Sequence, residues 1–455
     1  MTDFSTLPLA PALQQALAAL DYVQMTPVQA QSLPAILDGR DAIVQARTGS
    51  GKTAAFGLGL LSAIDPAVTA VQALVLCPTR ELADQVGKEI RRLARFIPNL
   101  KLLTLCGGIP LRPQLASLTH PPHVVVGTPG RIQELIDLGA LLLDQARVLV
   151  LDEADRMLDM GFLDAIDAIA VSLPEQRRTL LFSATLPPPI RTVSQRLQRD
   201  PAEVTVADAE PAIEQRFHEI DPSRRFDALL RVLAAHRPES ALVFCNTRRE
   251  AESVAERLRG LGHSAAALHG ELDQREREDV LVRFAHRSCV VLTATDVAAR
   301  GLDIDDLPLV ISYDLASDAD SHIHRIGRTG RAGRSGLAIA LAAPADMPRA
   351  NAIESRLGTR LRYLPLPPAD AAAAPLAASM RTLCIDAGRQ DKLRPGDVVG
   401  ALTGDAGLTA DCIGKIAVFA TRTYVAIRAD TAATALKRLR AGRIKGRTFR
   451  IRPLD

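Results

Sequence analysis

The sequence predicts an α/β chain of two tandem doubly wound parallel-sheet domains followed by a smaller α+β unit. Three observations carry that reading. Short apolar runs alternate with helical periodicities through residues 1–205, and the same rhythm restarts through 212–363. A proline- and alanine-rich stretch, 364–378, then precedes a segment of different charge and element order, 379–455. The length, 455 residues, agrees with about three domains at 100–200 residues each.

In the first segment, Asp41–Ala46, Ala73–Cys77, His123–Val126, Arg147–Leu151 and Thr179–Phe182 read as strands buried on both faces. Asp200–Pro211, with prolines and acidic residues and no clear period, reads as a joint. Ala241–Cys245, Ala265–Leu268, Cys289–Leu292, Leu309–Tyr313 and Gly336–Leu341 repeat the pattern. The last segment orders as strand Thr382–Ile385, helix from Lys392 or Pro395 to Gly404, strands Ile413–Phe419 and Thr423–Arg428, helix Thr431–Ala441 and strand Thr448–Arg452. That βαββαβ order is the architecture of an RNA-recognition (RRM-like) fold.

Composition excludes several classes. With 47% hydrophobic and 24% charged residues the chain is neither largely disordered nor fibrous. No apolar run approaches the roughly 20 residues that span a bilayer, and the start lacks the form of a secretory signal, so a cytoplasmic protein without membrane contact is expected. Six scattered cysteines with no Cys-x-x-Cys pair suggest buried thiols rather than a disulfide scaffold or a zinc site. The net charge of +3 hides a split. Residues 379–455 hold 15 Lys and Arg against 7 Asp and no Glu, a net of +8, while the preceding residues carry −5. A basic module on a mildly acidic body suits a polyanionic partner, although a solvated basic face gives the same count.

The sharpest local signal is Ala46-Arg47-Thr48-Gly49-Ser50-Gly51-Lys52-Thr53, after a buried strand and before a helix. Glycines let such a loop aim its N–H groups at phosphate oxygens, with Lys52 for the β and γ phosphates and Thr53 for Mg²⁺. Ala46 stands where the general motif has a glycine. A second apolar strand, Val148–Leu151, runs into Asp152-Glu153-Ala154-Asp155. Beside a phosphate loop, Asp152 suits a Mg²⁺ ligand and Glu153 a base that polarises the attacking water; alone, the acidic run would read as a solvated helix start. Together these predict a nucleoside triphosphatase using ATP and Mg²⁺.

These residues resemble the DEAD-box RNA helicases, motif after motif along nearly the whole chain. The resemblance implies RecA-like folds for the two α/β domains. Phe4, Tyr22 and Thr26-Pro27-Val28-Gln29 resemble the family's adenine-reading motif. Gln29 would then hydrogen-bond adenine, Tyr22 would stack on it, and Thr26, Thr48, Gly49, Ser50, Gly51, Lys52 and Thr53 would complete the nucleotide site. Asp21 and Met25 stand where glycine and proline are common. Pro78–Leu82, Gly107-Gly108 and Thr128–Arg131 resemble first-domain RNA contacts, which assigns Arg80, Gly108, Thr128 and Arg131 to the RNA backbone. Ser183-Ala184-Thr185 resembles the motif that couples hydrolysis to RNA release.

In the second domain, Phe244–Thr247, Leu268–Gly270 and Gln274–Arg277 match family positions, with Thr247 toward RNA. Within the 295–304 stretch, Thr295 would touch RNA and Asp303 the ribose. His324–Arg331 resembles the arginine-finger motif: Arg328 and Arg331 would stabilise the transferring phosphoryl group, His324 would couple the sites, and His269 is left structural.

The tail resembles that of the DbpA subgroup, through Thr382–Asp386, Arg394–Asp397, Gly400–Leu408 and Ile413–Val418. That likeness implies recognition of a hairpin in large-subunit (23S) ribosomal RNA, pre-ribosomal particles as partner, and a role in ribosome assembly. The tail sheet lacks an aromatic platform beyond Tyr424, so its RNA contacts are expected from basic residues such as Lys415, Lys445 and Arg447. A monomer is expected. Rival readings are an ATP-gated RNA clamp or chaperone without ribosomal targeting, a DNA translocase, and a scaffold that does not use nucleotide; intact Lys52, Asp152, Glu153, Arg328 and Arg331 argue against the last.

Overall fold

The computed structural model describes residues 3–47, 49–206, 213–299, 307–330, 336–370, 373–404 and 407–454. They form two compact units that divide near residue 210.

The first unit is built on seven parallel strands: β1 (Ala42–Gln45), β2 (Ala73–Leu76), β3 (Leu102–Leu105), β4 (Val124–Gly127), β5 (Val148–Asp152), β6 (Arg178–Ser183) and β7 (Ala202–Thr205). Their order is β3-β4-β2-β5-β6-β1-β7. Alternation of side chains across each strand feeds two cores. Val44, Val75, Val126, Val150 and Phe182 pack on one face against residues of helices Pro27–Leu37, Lys52–Ser62 and Arg80–Leu93. Ile43, Leu74, Val125, Leu149 and Leu181 pack on the other, against Pro129–Asp137, Leu163–Val171 and Pro188–Leu197. This is the doubly wound arrangement the sequence predicts. It sets the C-terminal ends of β5, β6 and β1 side by side, where such sheets bind ligands.

Strands β3 and β7 are absent from the sequence reading. Both are sheet edges, partly exposed, and so lack the continuous apolar run of a central strand. Strand β7 occupies the stretch expected as a joint.

The second unit carries two sheets. The larger is parallel: β8 (Ile213–Glu219), β9 (Ala241–Phe244), β10 (Ala265–Leu268), β11 (Val291–Ala294), β12 (Leu309–Ser312) and β13 (Gly336–Ala342), in the order β10-β11-β9-β12-β13-β8. Edge strand β8 also escapes the sequence reading, because polar residues interrupt it. The smaller sheet is antiparallel: β14 (Met380–Ile385), β15 (Ile413–Val418), β16 (Thr423–Arg428) and β17 (Ile451–Pro453), in the order β15-β16-β14-β17. Helices Pro395–Thr403 and Ala432–Ala441 cover one face, burying Leu383, Ile385, Val425 and Ile427.

The opposite face of the small sheet is also covered. Cys384, Tyr424 and Leu454 pack on Val282 of helix Gln274–Ala285. The Tyr424 hydroxyl donates to Asp279 of that helix at 2.7 Å, and the hydroxyls of Ser288 and Thr382 lie 2.6 Å apart. Described parts of the 364–378 stretch, expected as a spacer rather than a packed element, are held along the large-sheet domain. Leu366 and Leu376 join its core, Arg231 donates to the Pro367 carbonyl, and Ser264 N–H donates to the Leu376 carbonyl. All six cysteines are buried free thiols. Among the described residues no helix is long and apolar enough to cross a membrane.

Candidate active site

The phosphate loop leaves β1 at Gln45. Glycines 49 and 51 adopt left-handed backbone angles, φ 83° and 94°, and so turn the chain into helix Lys52–Ser62. Gly51 also permits a close approach, since a β-carbon there would lie 2.5 Å from Gln29 Nε2. Gln29 Nε2 donates to the Gly51 carbonyl at 3.1 Å, and Gln29 Oε1 accepts the Thr26 N–H at 2.8 Å. The candidate base-reading glutamine is thus bonded directly to the phosphate loop. Thr26 Oγ1 is buried with no partner among the described residues, as a polar atom awaiting a ligand would be. Ser50 Oγ donates to the Arg47 carbonyl. Lys52 is 5% exposed and donates from Nζ to the Ala46 carbonyl at 2.8 Å. Thr48 lies outside the described residues.

Two strands across, β5 ends in the acidic run. Asp152, Glu153 and Asp155 are 3%, 6% and 4% exposed, which removes the solvated helix-start reading. Burial pushes the Asp152 carboxyl up to about 7; the Lys52 charge opposes that rise and Glu153 adds to it. A buried carboxylate at the end of β5 fits a hard divalent cation, with Thr53, the residue after Lys52 in the loop, as the candidate second oxygen ligand. Mg²⁺ characteristically takes one or two protein oxygens and leaves its other positions to phosphates and water, so no denser acidic cluster is required.

Glu153 has φ 52° and ψ 54°, a left-handed conformation unusual for a residue with a β-carbon. Asp155 is tied to the end of β6. Its Oδ2 accepts from the Thr185 N–H at 2.9 Å and hydroxyl at 3.0 Å, while its own N–H donates to Ser183 Oγ at 3.1 Å. The acidic turn and the end of β6 are therefore joined by three hydrogen bonds through Ser183 and Thr185, residues of the stretch whose resemblance implies coupling of hydrolysis to RNA release.

The RNA candidates of the first unit divide. Arg80 begins helix Arg80–Leu93, and its guanidinium lies against Gly108, whose φ is 65°; a β-carbon at 108 would collide with it. Thr128 Oγ1 accepts the Gly107 N–H at 3.3 Å. Arg131 is engaged within the chain. It is 7% exposed, with Nε on Glu134 at 2.8 Å and Nη2 on the Ile109 carbonyl at 3.0 Å. Nη2 thereby ties Arg131 to the 107–109 loop, while Nη1 is buried with no hydrogen-bond partner among the described residues.

In the second unit Arg325, absent from the predicted site, is the central cation. It is 1% exposed. It pairs with both Asp296 oxygens at 2.7 and 2.8 Å, and reaches Asn246 Oδ1 at 2.7 Å and the Asp314 carbonyl at 2.6 Å. Those partners follow β11, β9 and β12, so one guanidinium ties three adjacent strand ends. Separations of 29 and 79 residues gave the sequence no signal for it. Arg328 is buried three residues on; His324 is partly buried on helix Ala319–Ile326. Thr247 caps helix Arg248–Gly260 by accepting the Glu250 N–H, and Thr295 accepts the Ala298 N–H at 3.4 Å. His269 Nε2 lies 3.0 Å from Glu252. Asp303 and Arg331 lie outside the described residues.

The tail exposes Lys415, Lys445 and Arg447. Lys415 sits in the irregular register of β15, between Ile413 and Ile416. Lys445 and Arg447 lie on the turn closed by the Ile444–Arg447 bridge, within 3.6 Å of Asp397 and 3.9 Å of Asp391 respectively. Tyr424 is fully buried, so it offers no base platform.

A phosphate loop, a buried acidic turn and a hydroxyl relay on neighbouring strand ends, with a second parallel sheet downstream, are the arrangement of a nucleotide-driven enzyme of the helicase class. Comparison with known proteins agrees. Residues 26–193 match the DEAD/DEAH box helicase family, 224–333 the helicase conserved C-terminal domain and 382–453 the DbpA RNA binding domain. The chain is 55% identical to the ATP-dependent RNA helicase DbpA of Escherichia coli over 457 residues, covering 100% of each. It is 42% identical to the DEAD-box ATP-dependent RNA helicase CshA of Bacillus cereus, over 82% of this chain and 71% of the relative. Among solved structures it is similar to Saccharomyces cerevisiae Dbp5 bound to RNA and ADP BeF3, at TM-score 0.72 and 29% identity, covering 80% of this chain and 96% of that one. The chain belongs to the DEAD-box ATP-dependent RNA helicases and, within them, to the DbpA subgroup.

Proposed function

We propose that this chain uses ATP hydrolysis to separate short RNA duplexes locally, and that its C-terminal module directs it to a hairpin of large-subunit (23S) ribosomal RNA during ribosome assembly. The observation that carries the proposal is the joining of the phosphate loop, Asp152, Glu153 and the Ser183–Thr185 relay on adjacent strand ends, in a chain whose tail matches the DbpA RNA binding domain.

In this reading residues 1–205 and 212–363 are the two engine domains, 364–378 connects them to the tail, and 379–455 is the targeting module. Gln29 reads adenine and reports to the loop through its bond to Gly51. Lys52 leaves the Ala46 carbonyl for phosphate oxygens. Thr53 and Asp152 would hold Mg²⁺, which would supply charge neutralisation on the phosphates. Glu153 takes the proton of the attacking water, and Asp155 passes the state of the acidic turn to β6 through Thr185. Arg328 and Arg331 stabilise the transferring phosphoryl group when the two domains close. Arg80, Gly108, Thr128, Thr247 and Thr295 follow the RNA backbone, with Arg131 shaping the loop. We place the protein in the cytoplasm as a monomer, acting on pre-ribosomal particles.

The test is steady-state ATP hydrolysis and strand separation with the hairpin-bearing ribosomal RNA against unrelated structured RNA, at matched salt. A selective response to the hairpin supports the whole proposal. Equal stimulation by all RNAs removes the targeting; hydrolysis without strand separation reduces the chain to a clamp.

A further inference from the structure

We infer that Glu89 is a positioning residue for the nucleotide base, acting through Tyr22. The inference rests on the reading of Tyr22 as the ring that stacks on adenine. Tyr22 is pinned at its backbone: its N–H donates to the Leu17 carbonyl at 3.0 Å, and the next carbonyl, that of Val23, accepts the Phe4 N–H at 3.2 Å. The ring lies near-parallel to Phe4, centroids 6.4 Å apart. Pinned there, a phenol ring keeps two side-chain rotations. Its far end is fixed as well, because the Tyr22 hydroxyl donates to Glu89 Oε1 at 2.8 Å. Glu89 is itself held, with Oε2 accepting from Arg92 Nη1 at 2.7 Å and its side chain 18% exposed. A ring anchored at both ends cannot swing away from a base laid on its free face.

The phenol also stays protonated further into alkaline pH. Burial and Glu89 push the Tyr22 hydroxyl up from its ordinary value, so it remains a donor. Glu89 lies 67 residues from Tyr22, on helix Arg80–Leu93, whose first residue is the RNA candidate Arg80. No motif spacing links the two. A surface ion pair with Arg92 is the plainer account of Glu89, but it leaves the second carboxylate oxygen and its bond to the half-buried phenol unexplained.

The test uses the full chain, with ADP, ATP and inorganic tripolyphosphate as probes. Glu89→Ala should weaken ADP binding about five- to tenfold and raise the KM for ATP by the same factor while kcat holds, the scale of one oriented stacking contact. Inhibition by tripolyphosphate, which has no base, should not move. Glu89→Gln keeps an acceptor for the phenol and should restore most of the affinity. Tyr22→Phe should reproduce Glu89→Ala, and the double variant should lose no more than either alone. Equal weakening of ADP and tripolyphosphate, or additive losses in the double variant, would overturn the inference. The underlying reading fails separately: if Tyr22→Ala leaves ADP affinity unchanged, Tyr22 does not stack on the base. If Tyr22→Ala weakens ADP but Glu89→Ala does not, the positioning role alone falls.

Discussion

At the scale of single residues, the site is made from groups placed where they are uncomfortable. Glu153 takes a left-handed backbone that a β-carbon disfavours, which costs on the order of 1–2 kcal/mol and persists because the surrounding turn fixes it. Two substitutions separate that strain from the chemistry. Glu153→Gln should lower ATP turnover by about 100-fold or more while leaving the melting temperature in place, as expected for loss of a general base. Glu153→Gly should be equally inactive yet more stable by up to about 1 kcal/mol, because glycine accepts the conformation. A destabilised Glu153→Gly protein in thermal denaturation would show that the left-handed turn carries no strain. Arg325 is the opposite case, a charge made comfortable by four hydrogen bonds. Arg325→Ala leaves Asp296 without its partner and should cost about 3–5 kcal/mol, read as earlier unfolding of the second unit. Arg325→Lys should recover little of it, since an ammonium cannot grip both carboxylate oxygens and reach two further strand ends.

At the scale of elements, helix Gln274–Ala285 is the piece that couples two folds. Its Val282 and Asp279 receive the outer face of the small sheet, so a surface that carries stacking aromatics in RNA-recognition folds is here a docking face. Tyr424→Phe removes a buried hydrogen bond to a carboxylate and should weaken docking by about 1.5–3 kcal/mol. Faster amide exchange in β14 and β16, with the tail helices unaffected, is the expected signature. Acid should loosen the same seam. Burial, helped by Lys415, pushes His286 down to about 4 from an ordinary 6.5, and its Nδ1 lies 3.4 Å from Thr382 Oγ1. A released chain binds that proton more readily than the docked one, so stability is full above about 6.5 and declines as pH falls toward about 4. His286→Gln should flatten that part of the unfolding-against-pH curve. The seam also marks what could be read from sequence. Central strands such as β2 and β5 announce themselves as unbroken apolar runs, and the phosphate loop and acidic turn are contiguous motifs. The edge strands β3, β7 and β8 do not, since half-exposed strands dilute the pattern. Tyr424 reads as a lone aromatic until Asp279, 145 residues away, is brought beneath it. Arg325 and Glu89 were hidden for the same reason: their partners are distant in the chain, and no local spacing encodes a tertiary pair.

At the scale of the whole molecule, a net charge of +3 resolves into a +8 tail and a −5 remainder, and that division has a measurable consequence. A protein that holds RNA through its phosphates displaces counterions. Each lysine or arginine that neutralises a phosphate then steepens the fall of binding with salt by about 0.7–0.9 in log–log slope. The exposed candidates are not equivalent. Lys445 and Arg447 already lie near Asp397 and Asp391, exposed pairs worth less than about 1 kcal/mol, which RNA can displace but must compete with. Lys415 stands in the β15 irregularity, where no carboxylate pair is recorded for it among the described residues. Replacing all three by glutamine in the full chain should reduce the slope for hairpin RNA by about 2, with Lys415 contributing the largest share. The measurement is RNA affinity by fluorescence anisotropy across a salt titration, for the hairpin and for an unrelated duplex. A slope that stays the same in the triple variant would make this a solvated basic face and move recognition elsewhere on the tail. A reduced slope with the hairpin preference retained would assign these charges to holding the backbone, and leave the choice of RNA to contacts with bases and shape.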